Sequence, residues 1–273
     1  MKVCKFGGSS MSNAYAVACV EKIIRDDESR RYIVVSAPGK RDKNDAKVTD
    51  LLYLTKDKFD RGENFFEVFD VIKTRFLDLE RELRVDAKLE CELEEIKDKI
   101  AGGASRDFVA SRGEYLSAKL LAKKLDIPFC DTQSLVWFEG DNLAFDKTID
   151  CLRQALADLP MAVLPGFYGS NALGIKTFTR GGSDITGAIV AAAVRADVYE
   201  NWTDVDGIFT ADPRKDSTAR FVEKLTYKEM YALALRGANV LHKDAVYPVE
   251  AAGITINVRN TFNPDCKGTI IAN

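Results

Sequence analysis

Two adjacent glycines between an extended segment and an alanine-rich apolar helix constrain this chain more than any other stretch. The extended segment ends at Phe178, the glycine pair is Gly181–Gly182, and the helical pattern covers 185–194. Ser183–Asp184 stands where a side chain caps the first turn of a helix. A helix N-terminus with free backbone N–H groups binds phosphate or carboxylate, and Arg180 adds a permanently charged, forked donor. The stretch therefore predicts an anion site, the alternative being an ordinary tight turn beside a surface arginine.

Short apolar strands alternate with helical segments along most of the chain. The pattern predicts strands at 2–6, 32–37, 129–131, 162–164, 175–178, 198–202, 255–258 and 269–271, and helices at 13–26, 48–125 with a break at 102–103, 146–157, 185–195, 227–236 and 243–252. This alternation is typical of an α/β fold with a mostly parallel sheet covered on both faces. Ligands in such folds bind at the carboxyl ends of strands. Functional-looking loops follow the strands that end near residues 6, 36, 164, 178 and 202, which predicts one active site.

The first predicted strand ends in another glycine turn. Lys5 lies at the end of the strand, and Gly7–Gly8 with Ser9 separates the strand from the next helix. Backbone amides in such a turn can bind phosphate, but the lysine precedes the glycines, so the full P-loop pattern is absent. The position of the lysine beside the turn still favours anion binding.

Charged residues between the second strand and residue 125 are predicted to face solvent for the most part. The segment Lys40–Lys47 is interpreted as a charged, mobile loop, and the charge-rich pattern of 48–125 is typical of solvated helix faces. Glu114 is the exception, because it stands beside Gly113 within an apolar stretch. The residues alone leave two alternatives, an ordinary surface glutamate or a functional carboxylate.

Composition and charge exclude several classes of function. The 273 residues carry a formal net charge of −3, so no dominant basic surface for nucleic acid is expected. No apolar run approaches the ~20 residues of a membrane span, so we expect no membrane anchor. The first residues of the chain already have the pattern of a strand, so we expect no signal peptide. Six cysteines without a Cys-x-x-Cys pair are typical of reduced thiols in a cytoplasmic protein. With His242 as the single histidine, a His-based metal site and a Ser-His-Asp triad are both disfavoured.

Short motifs follow one another along nearly the whole chain. They are KFGGSS at 5–10, VSA at 35–37, VTDLL at 48–52, RGE at 112–114, GF at 166–167, RGGSD at 180–184, WTDVDGIFTADPR at 202–214, GANVLH at 237–242 and VRNTF at 258–262. In this order they resemble the catalytic domain of aspartate kinase, within the amino-acid-kinase superfamily. Each motif is weak alone, but the ordered set is highly specific. The resemblance implies a single catalytic domain over 1–273 with a three-layer α/β/α sandwich, an amino-acid lobe over about 1–170 that includes the helical segment 47–105, and a nucleotide lobe over about 171–273.

The same resemblance implies ATP-dependent phosphorylation of the L-aspartate side-chain carboxylate to 4-phospho-L-aspartate, in the biosynthesis of lysine and threonine. The implied residues are Lys5, Gly7, Gly8 and Asp184 for catalysis; Ser36, Thr49, Glu114, Phe167, Arg180, Gly181, Gly182 and Ser183 for aspartate; and Lys5, Gly8, Ser9, Thr203, Asp204, Phe209, Arg214 and Asn239 for the nucleotide. Arg180 would bind the α-carboxylate and Glu114 the α-ammonium. ATP is expected to bring Mg²⁺ held mainly by phosphates and water, so no protein metal site is expected.

The chain departs from the family pattern at three positions. The family usually has lysine where Asn239 stands, proline where Lys243 stands and glycine where Thr179 stands. The last shared motif ends near 268–271, so the regulatory ACT domains typical of the family are expected to be absent. Expected partners are aspartate, ATP and a second copy in a homodimer, without nucleic acid or membrane. The alternatives are a related kinase for another small acid, a modified aspartate or a nucleotide monophosphate, and a non-catalytic nucleotide or amino-acid sensor.

Overall fold

The computed structural model describes residues 1–179, 181–211, 216, 218–235, 241 and 243–273. The strands are β1 (Lys2–Phe6), β2 (Arg30–Val35), β3 (Phe138–Glu139), β4 (Asn142–Leu143), β5 (Ala162–Pro165), β6 (Tyr168–Asn171), β7 (Gly174–Thr177), β8 (Val198–Thr203), β9 (Ile208–Phe209), β10 (Phe221–Val222), β11 (Lys224–Leu225), β12 (Thr255–Asn260) and β13 (Thr269–Ile271). The helices are α1 (Ala14–Arg25), α2 (Val48–Asp60), α3 (Phe66–Glu82), α4 (Leu89–Ala101), α5 (Arg106–Leu125), α6 (Phe145–Leu156), α7 (Gly182–Val194), α8 (Tyr227–Leu235) and α9 (Lys243–Ala251). Among the described helices, none has both the length and the apolar character needed to cross a membrane.

A central sheet organises the described chain. Its seven strands run in the order β11–β13–β12–β8–β1–β2–β5. Neighbouring strands pair in parallel, except for the antiparallel pair of β12 and β13. The expectation of a mostly parallel sheet is therefore confirmed, and the carboxyl ends of β1, β2, β5 and β8 meet at one edge.

Helices cover both faces of this sheet. Because side chains alternate along a strand, Cys4 and Phe6 of β1 point into one core and Val3 points into the other. The first core is completed by buried side chains of α1 to α5, and the second by those of α6, α7 and α9. This confirms the expected three-layer α/β/α sandwich.

Two expected strands of the central sheet are absent from it in the described chain. The expected strand at 129–131 is reduced to a single bridge between Phe129 and Val163. The expected strand at 175–178 is β7, which pairs antiparallel with β6 in a separate hairpin. Only two residues, 172–173, separate the strands, which is the loop length typical of a tight hairpin, and Gly174 at the start of β7 has a φ of +124°. The loop that begins at Phe178 therefore reaches the site from beside the sheet.

The long helical region is divided more often than the sequence predicts. The expected single break at 102–103 is present, but the chain also turns at 61–65 and at 83–88, which separates α2, α3, α4 and α5. Gly62 adopts a φ of +70° at the first of these turns. As a result α3 packs beside α2 and reaches the loop that follows β2.

Candidate active site

A buried lysine, an aspartate and an asparagine converge at the carboxyl ends of β1 and β8. Lys5 Nζ lies 2.7 Å from Asp184 Oδ1, and the lysine side chain is only 9% exposed. Asn201 Nδ2 donates to the same oxygen at 2.7 Å. The parallel register of β1 and β8 pairs Lys5 with Asn201, and this pairing brings the two side chains to one carboxylate. Tyr199 Oη donates to the backbone oxygen of Asp184 at 3.0 Å and fixes the first turn of α7.

The glycine turn after β1 is anchored to β8 and to the loop that follows β2. The Gly7 N–H donates to the Trp202 carbonyl oxygen at 3.0 Å, and the Gly39 N–H donates to the Gly8 carbonyl oxygen at 2.7 Å. A Cβ atom on Gly39 would lie 2.7 Å from the Gly8 carbonyl carbon, so only glycine allows this contact. The turn continues as a 3₁₀ helix from Gly8 to Met11 that contains Ser9.

A polar cleft of about 600 Å³ opens beside this turn. Its lining includes six residues that the sequence analysis assigns to the site, and these are Gly8, Ser9, Ser36, Thr49, Glu114 and Asp204. Ser36 follows β2, Thr49 is the second residue of α2, and Glu114 lies on α5. The structure thus brings residues from five separate motifs onto one cleft.

Glu114 is a buried carboxyl on the wall of the cleft. Desolvation by burial raises its pKa to about 8, while the Ala37 backbone N–H and the positive charges of Lys5 and Arg112 act in the opposite direction. Among the described residues, its Oε2 atom has no hydrogen-bond partner. Gly113 brings the helix this close, since a Cβ atom there would lie 2.6 Å from Ala37 Cβ. This carboxyl can accept a charged donor that enters the cleft.

The start of α7 differs from the expected cap. Gly181 is the N-cap with a φ of +59°, and no side chain of the described residues caps the helix. The expected cap by Ser183 or Asp184 is wrong, because the helix begins at Gly182 and both residues lie inside its first turn. A negative charge in the first turn is stabilised by the helix dipole, so Asp184 still fits its position.

The loop after β5 packs directly on this helix start. Phe167 has a φ of +76°, and its N–H donates to Thr186 Oγ1 at 3.1 Å. A Cβ atom on Gly166 would lie 2.6 Å from Ser183 Cβ, and one on Gly182 would lie 2.7 Å from Phe167 Cδ2. These close approaches explain why Gly166 and Gly182 occur where the two motifs meet.

A smaller cavity of about 150 Å³ lies at the carboxyl ends of β1 and β8. Lys5, Asp184, Asn201 and Thr203 line it together with Val205, Gly207, Ile208, Leu241 and Val258. Thr203 Oγ1 donates to Asp204 Oδ1 at 3.2 Å, and Asp204 belongs to the larger cleft. The two cavities therefore adjoin at the end of β8. Phe209 lines neither cavity and packs edge-on against Phe221.

Several expected site residues lie outside the described residues. They are Arg180, Arg214 and Asn239, together with His242. Their expected roles stay predictions.

Three residues near the cleft were not predicted from the sequence. Lys40 and Lys47 line it, although they belong to the segment interpreted as a charged, mobile loop. Arg75 on α3 is 3% exposed and donates to backbone oxygens of that loop, although the helical region was assigned no chemistry. An arginine in a charge-rich helix has no local signal that separates it from its solvated neighbours. The lysines could have been suspected from their place directly after β2.

Comparison with known proteins places this architecture in a family. The sequence model of the "Amino acid kinase family" matches residues 1–260. The chain is similar to aspartokinase 3 of Bacillus subtilis, with 33% identity over 288 residues that cover 98% of this chain and 63% of that protein. It therefore spans less than two thirds of the length of this curated relative.

Solved structures of aspartate kinases have the same fold as this chain. The crystal structure of Clostridium acetobutylicum aspartate kinase superposes with a TM-score of 0.95 at 43% identity, covering 100% of this chain and 63% of that chain. Escherichia coli aspartokinase III, in complex with aspartate and ADP, superposes with a TM-score of 0.87 at 27% identity, covering 100% of this chain and 64% of that chain. The expected fold and the expected resemblance are both confirmed.

Proposed function

This chain belongs to the amino acid kinase family, and from this premise we propose that it transfers the γ-phosphoryl group of ATP to the side-chain carboxylate of L-aspartate, forming 4-phospho-L-aspartate. The observation that carries the proposal is the buried ammonium of Lys5, which lies beside a glycine turn and the start of α7, next to two adjoining cavities. The relatives named aspartokinase, one of them solved with aspartate and ADP, support this choice of substrates.

The proposed reaction needs positioning and charge more than proton transfer. A carboxylate has a reference pKa near 4, so the acceptor is already ionised and needs no general base. One of its oxygens forms a bond to the γ-phosphorus as the bond to the ADP oxygen breaks. Lys5 and the N–H groups of the Gly7–Gly8 turn stabilise the charge on the phosphoryl oxygens. Asp184 holds the ammonium of Lys5 in place, and Asn201 donates to the same carboxylate oxygen of Asp184.

The larger cleft is the proposed acceptor pocket. Glu114 receives the α-ammonium, for which its burial and its unpartnered Oε2 atom are suited. Arg180 binds the α-carboxylate. The remaining proposed pocket residues are Ser36, Thr49, Phe167, Gly181, Gly182 and Ser183.

The proposed nucleotide lobe covers about 171–273, and the amino-acid lobe covers about 1–170. ATP contacts Gly8, Ser9, Thr203, Asp204 and Phe209, with Arg214 and Asn239 completing the set. Within the described residues no group of three or more His, Cys, Asp or Glu side chains is placed to hold a metal ion. Mg²⁺ held mainly by phosphates and water would neutralise phosphate charge when bound. A role in lysine and threonine biosynthesis, a cytoplasmic location and a homodimer stay predictions.

A coupled assay of ADP release tests the proposal. Aspartate, glutamate, N-acetylglutamate and UMP are each offered with ATP and Mg²⁺, and we expect turnover with aspartate above all others. Turnover with another compound and none with aspartate would replace aspartate as the acceptor. Binding of ATP or aspartate without any turnover would favour a sensor.

Replacement of Arg180 by alanine should weaken the capture of aspartate. The loss of a bidentate, charge-assisted partner for the α-carboxylate should raise the KM for aspartate about tenfold or more. Steady-state kinetics with each substrate varied in turn measures this effect. A change confined to the KM for ATP would reverse the assignment of the lobes.

Replacement of Asn239 by lysine should act on the nucleotide instead. A restored cation should tighten ATP by up to about tenfold and leave the KM for aspartate unchanged. Equilibrium titration of ATP into the two proteins measures the difference. Equal affinities would show that this position does not contact the phosphates.

A further inference from the structure

A buried arginine closes the loop that follows β2. Arg75 Nη2 donates to the Gly39 carbonyl oxygen, and Nη1 donates to the Ala46 carbonyl oxygen, both at 2.6 Å. The same guanidinium lies 3.4 Å from Asp45 Oδ2. One side chain from α3 therefore holds both ends of the loop, because a guanidinium presents several donors in a fixed fork.

Each of these carbonyl groups immediately precedes a lysine of the cleft. Lys40 follows Gly39 and Lys47 follows Ala46, and both lysines line the 600 Å³ cleft. A fixed carbonyl group fixes the peptide plane that leads into the next residue. Arg75 thus sets where the backbone of each lysine lies on the cleft wall.

Lys40 and Lys47 take part in no ion pair with another described residue. The loop holds two acids: Asp45 accepts from Arg41 at 2.9 Å and lies near Arg75, and Asp42 accepts from the Asn44 backbone N–H at 2.8 Å. The acids of the cleft are Glu114, whose burial favours the neutral form, and the exposed Asp204. The cleft therefore offers two positive charges to an anionic ligand.

We infer that Arg75 is a positioning residue that holds the loop 39–47 so that Lys40 and Lys47 attract and retain the carboxylates of the acceptor substrate. The inference rests on the proposed function for the identity of the acceptor. The acceptor is favoured over the nucleotide because Ser36, Thr49 and Glu114 line the same cleft. The smaller cavity beside Thr203 contains neither lysine.

The lysines are tested singly and together. Lys40→Met and Lys47→Met should each raise the KM for aspartate by about threefold to tenfold, and the double variant by more, with kcat changed less than KM. The matched control is Lys43→Met, since Lys43 is an exposed lysine of the same loop that does not line the cleft. An unchanged KM for aspartate in the double variant, or a rise only in the KM for ATP, would overturn the assignment to the acceptor.

The arginine is tested by its effect on the loop. Arg75→Met should raise the KM for aspartate at least as much as the double lysine variant and speed amide hydrogen exchange across 40–47. Arg75→Lys, which keeps a donor for one carbonyl, should be intermediate in both respects. Arg81→Met on the exposed face of α3 is the control and should match the parent protein. Circular dichroism and the melting temperature identify a variant that has lost its fold. If Arg75→Met does not fold, the KM for aspartate and the hydrogen exchange of Arg75→Lys test the inference in its place.

Hydrogen exchange separates this inference from the proposed function. If the parent protein does not phosphorylate aspartate, the proposed function fails, yet exchange across 40–47 still reports whether Arg75 holds the loop. If aspartate is phosphorylated and a folded Arg75→Lys shows parental exchange and a parental KM for aspartate, the inference about Arg75 fails while the proposed function stands.

Discussion

Replacement of Lys5 by alanine is expected to reduce kcat by about 100-fold or more. A preorganised charge aimed at the transferring phosphoryl group contributes about 3 kcal/mol or more to the transition state. Lys5 is preorganised because Asp184 holds its ammonium at 2.7 Å within a nearly buried site. The KM for aspartate should change less, since Lys5 does not line the acceptor cleft. Pre-steady-state and steady-state ADP release measures both constants.

Two companion variants sharpen this test. Lys5→Arg keeps the charge but cannot retain the position of a single ammonium between Asp184 and the glycine turn, so it should recover little activity. Asp184→Asn should lower kcat by releasing Lys5, and it should leave the fold intact because Asn201 remains beside it. Near-parental kcat in a folded Lys5→Ala protein would remove Lys5 from the catalytic residues.

Aspartate binding at pH 7 is expected to release most of one proton from Glu114, because burial raises its pKa to about 8 and the substrate ammonium favours the ionised form. Calorimetric titration in buffers of different ionisation enthalpy measures this proton release. Glu114→Gln keeps the shape of the side chain and loses the charge, so it should abolish the proton release and weaken aspartate by about 100-fold. Glu95→Gln on the exposed face of α4 is the matched control.

The same group makes the stability of the ligand-free protein depend on pH. The folded chain holds the Glu114 proton up to about pH 8, whereas the unfolded chain releases it near 4.5. Proton binding to Glu114 therefore contributes its full stabilisation of the folded state below pH 4.5. As the pH rises toward 8 this contribution to the free energy of unfolding is lost, at about 1.4 kcal/mol per pH unit. Denaturant unfolding of the parent and of Glu114→Gln at pH 5, 6.5 and 8 isolates this contribution, and parallel pH profiles would contradict the raised pKa.

Periodicity predicted the layers of this fold because the strands of its sheet are short apolar runs that lead into amphipathic helices. It failed where local patterns are ambiguous. The segment 175–178 has the pattern of any other strand, but its partner is set by the two-residue connection 172–173 rather than by its own side chains. The divisions within 48–125 depend on turns such as that at Gly62, which the helical charge pattern obscures.

The candidate site could be predicted only where a residue belongs to a motif at a strand end. Glu114 was recognisable from Gly113 and the apolar stretch around it, but its burial against Ala37 is a tertiary property. Asn201 was not recognised because its role depends on the register between β1 and β8. Arg75 lies 36 residues from Gly39 in the chain, and no sequence pattern within α3 predicts that contact.

The backbone contact between Gly8 and Gly39 has a consequence for changing the acceptor of this protein. The turn proposed to hold phosphate and the wall proposed to hold the acceptor touch through peptide groups, with no side chain between them to adjust. Any substitution that displaces the wall at Gly39 also displaces the phosphate turn, so a gain in selectivity there is accompanied by a loss of turnover. Redesign of the acceptor pocket should therefore begin on α2, where the Thr49 side chain lines the cleft and takes no part in this contact.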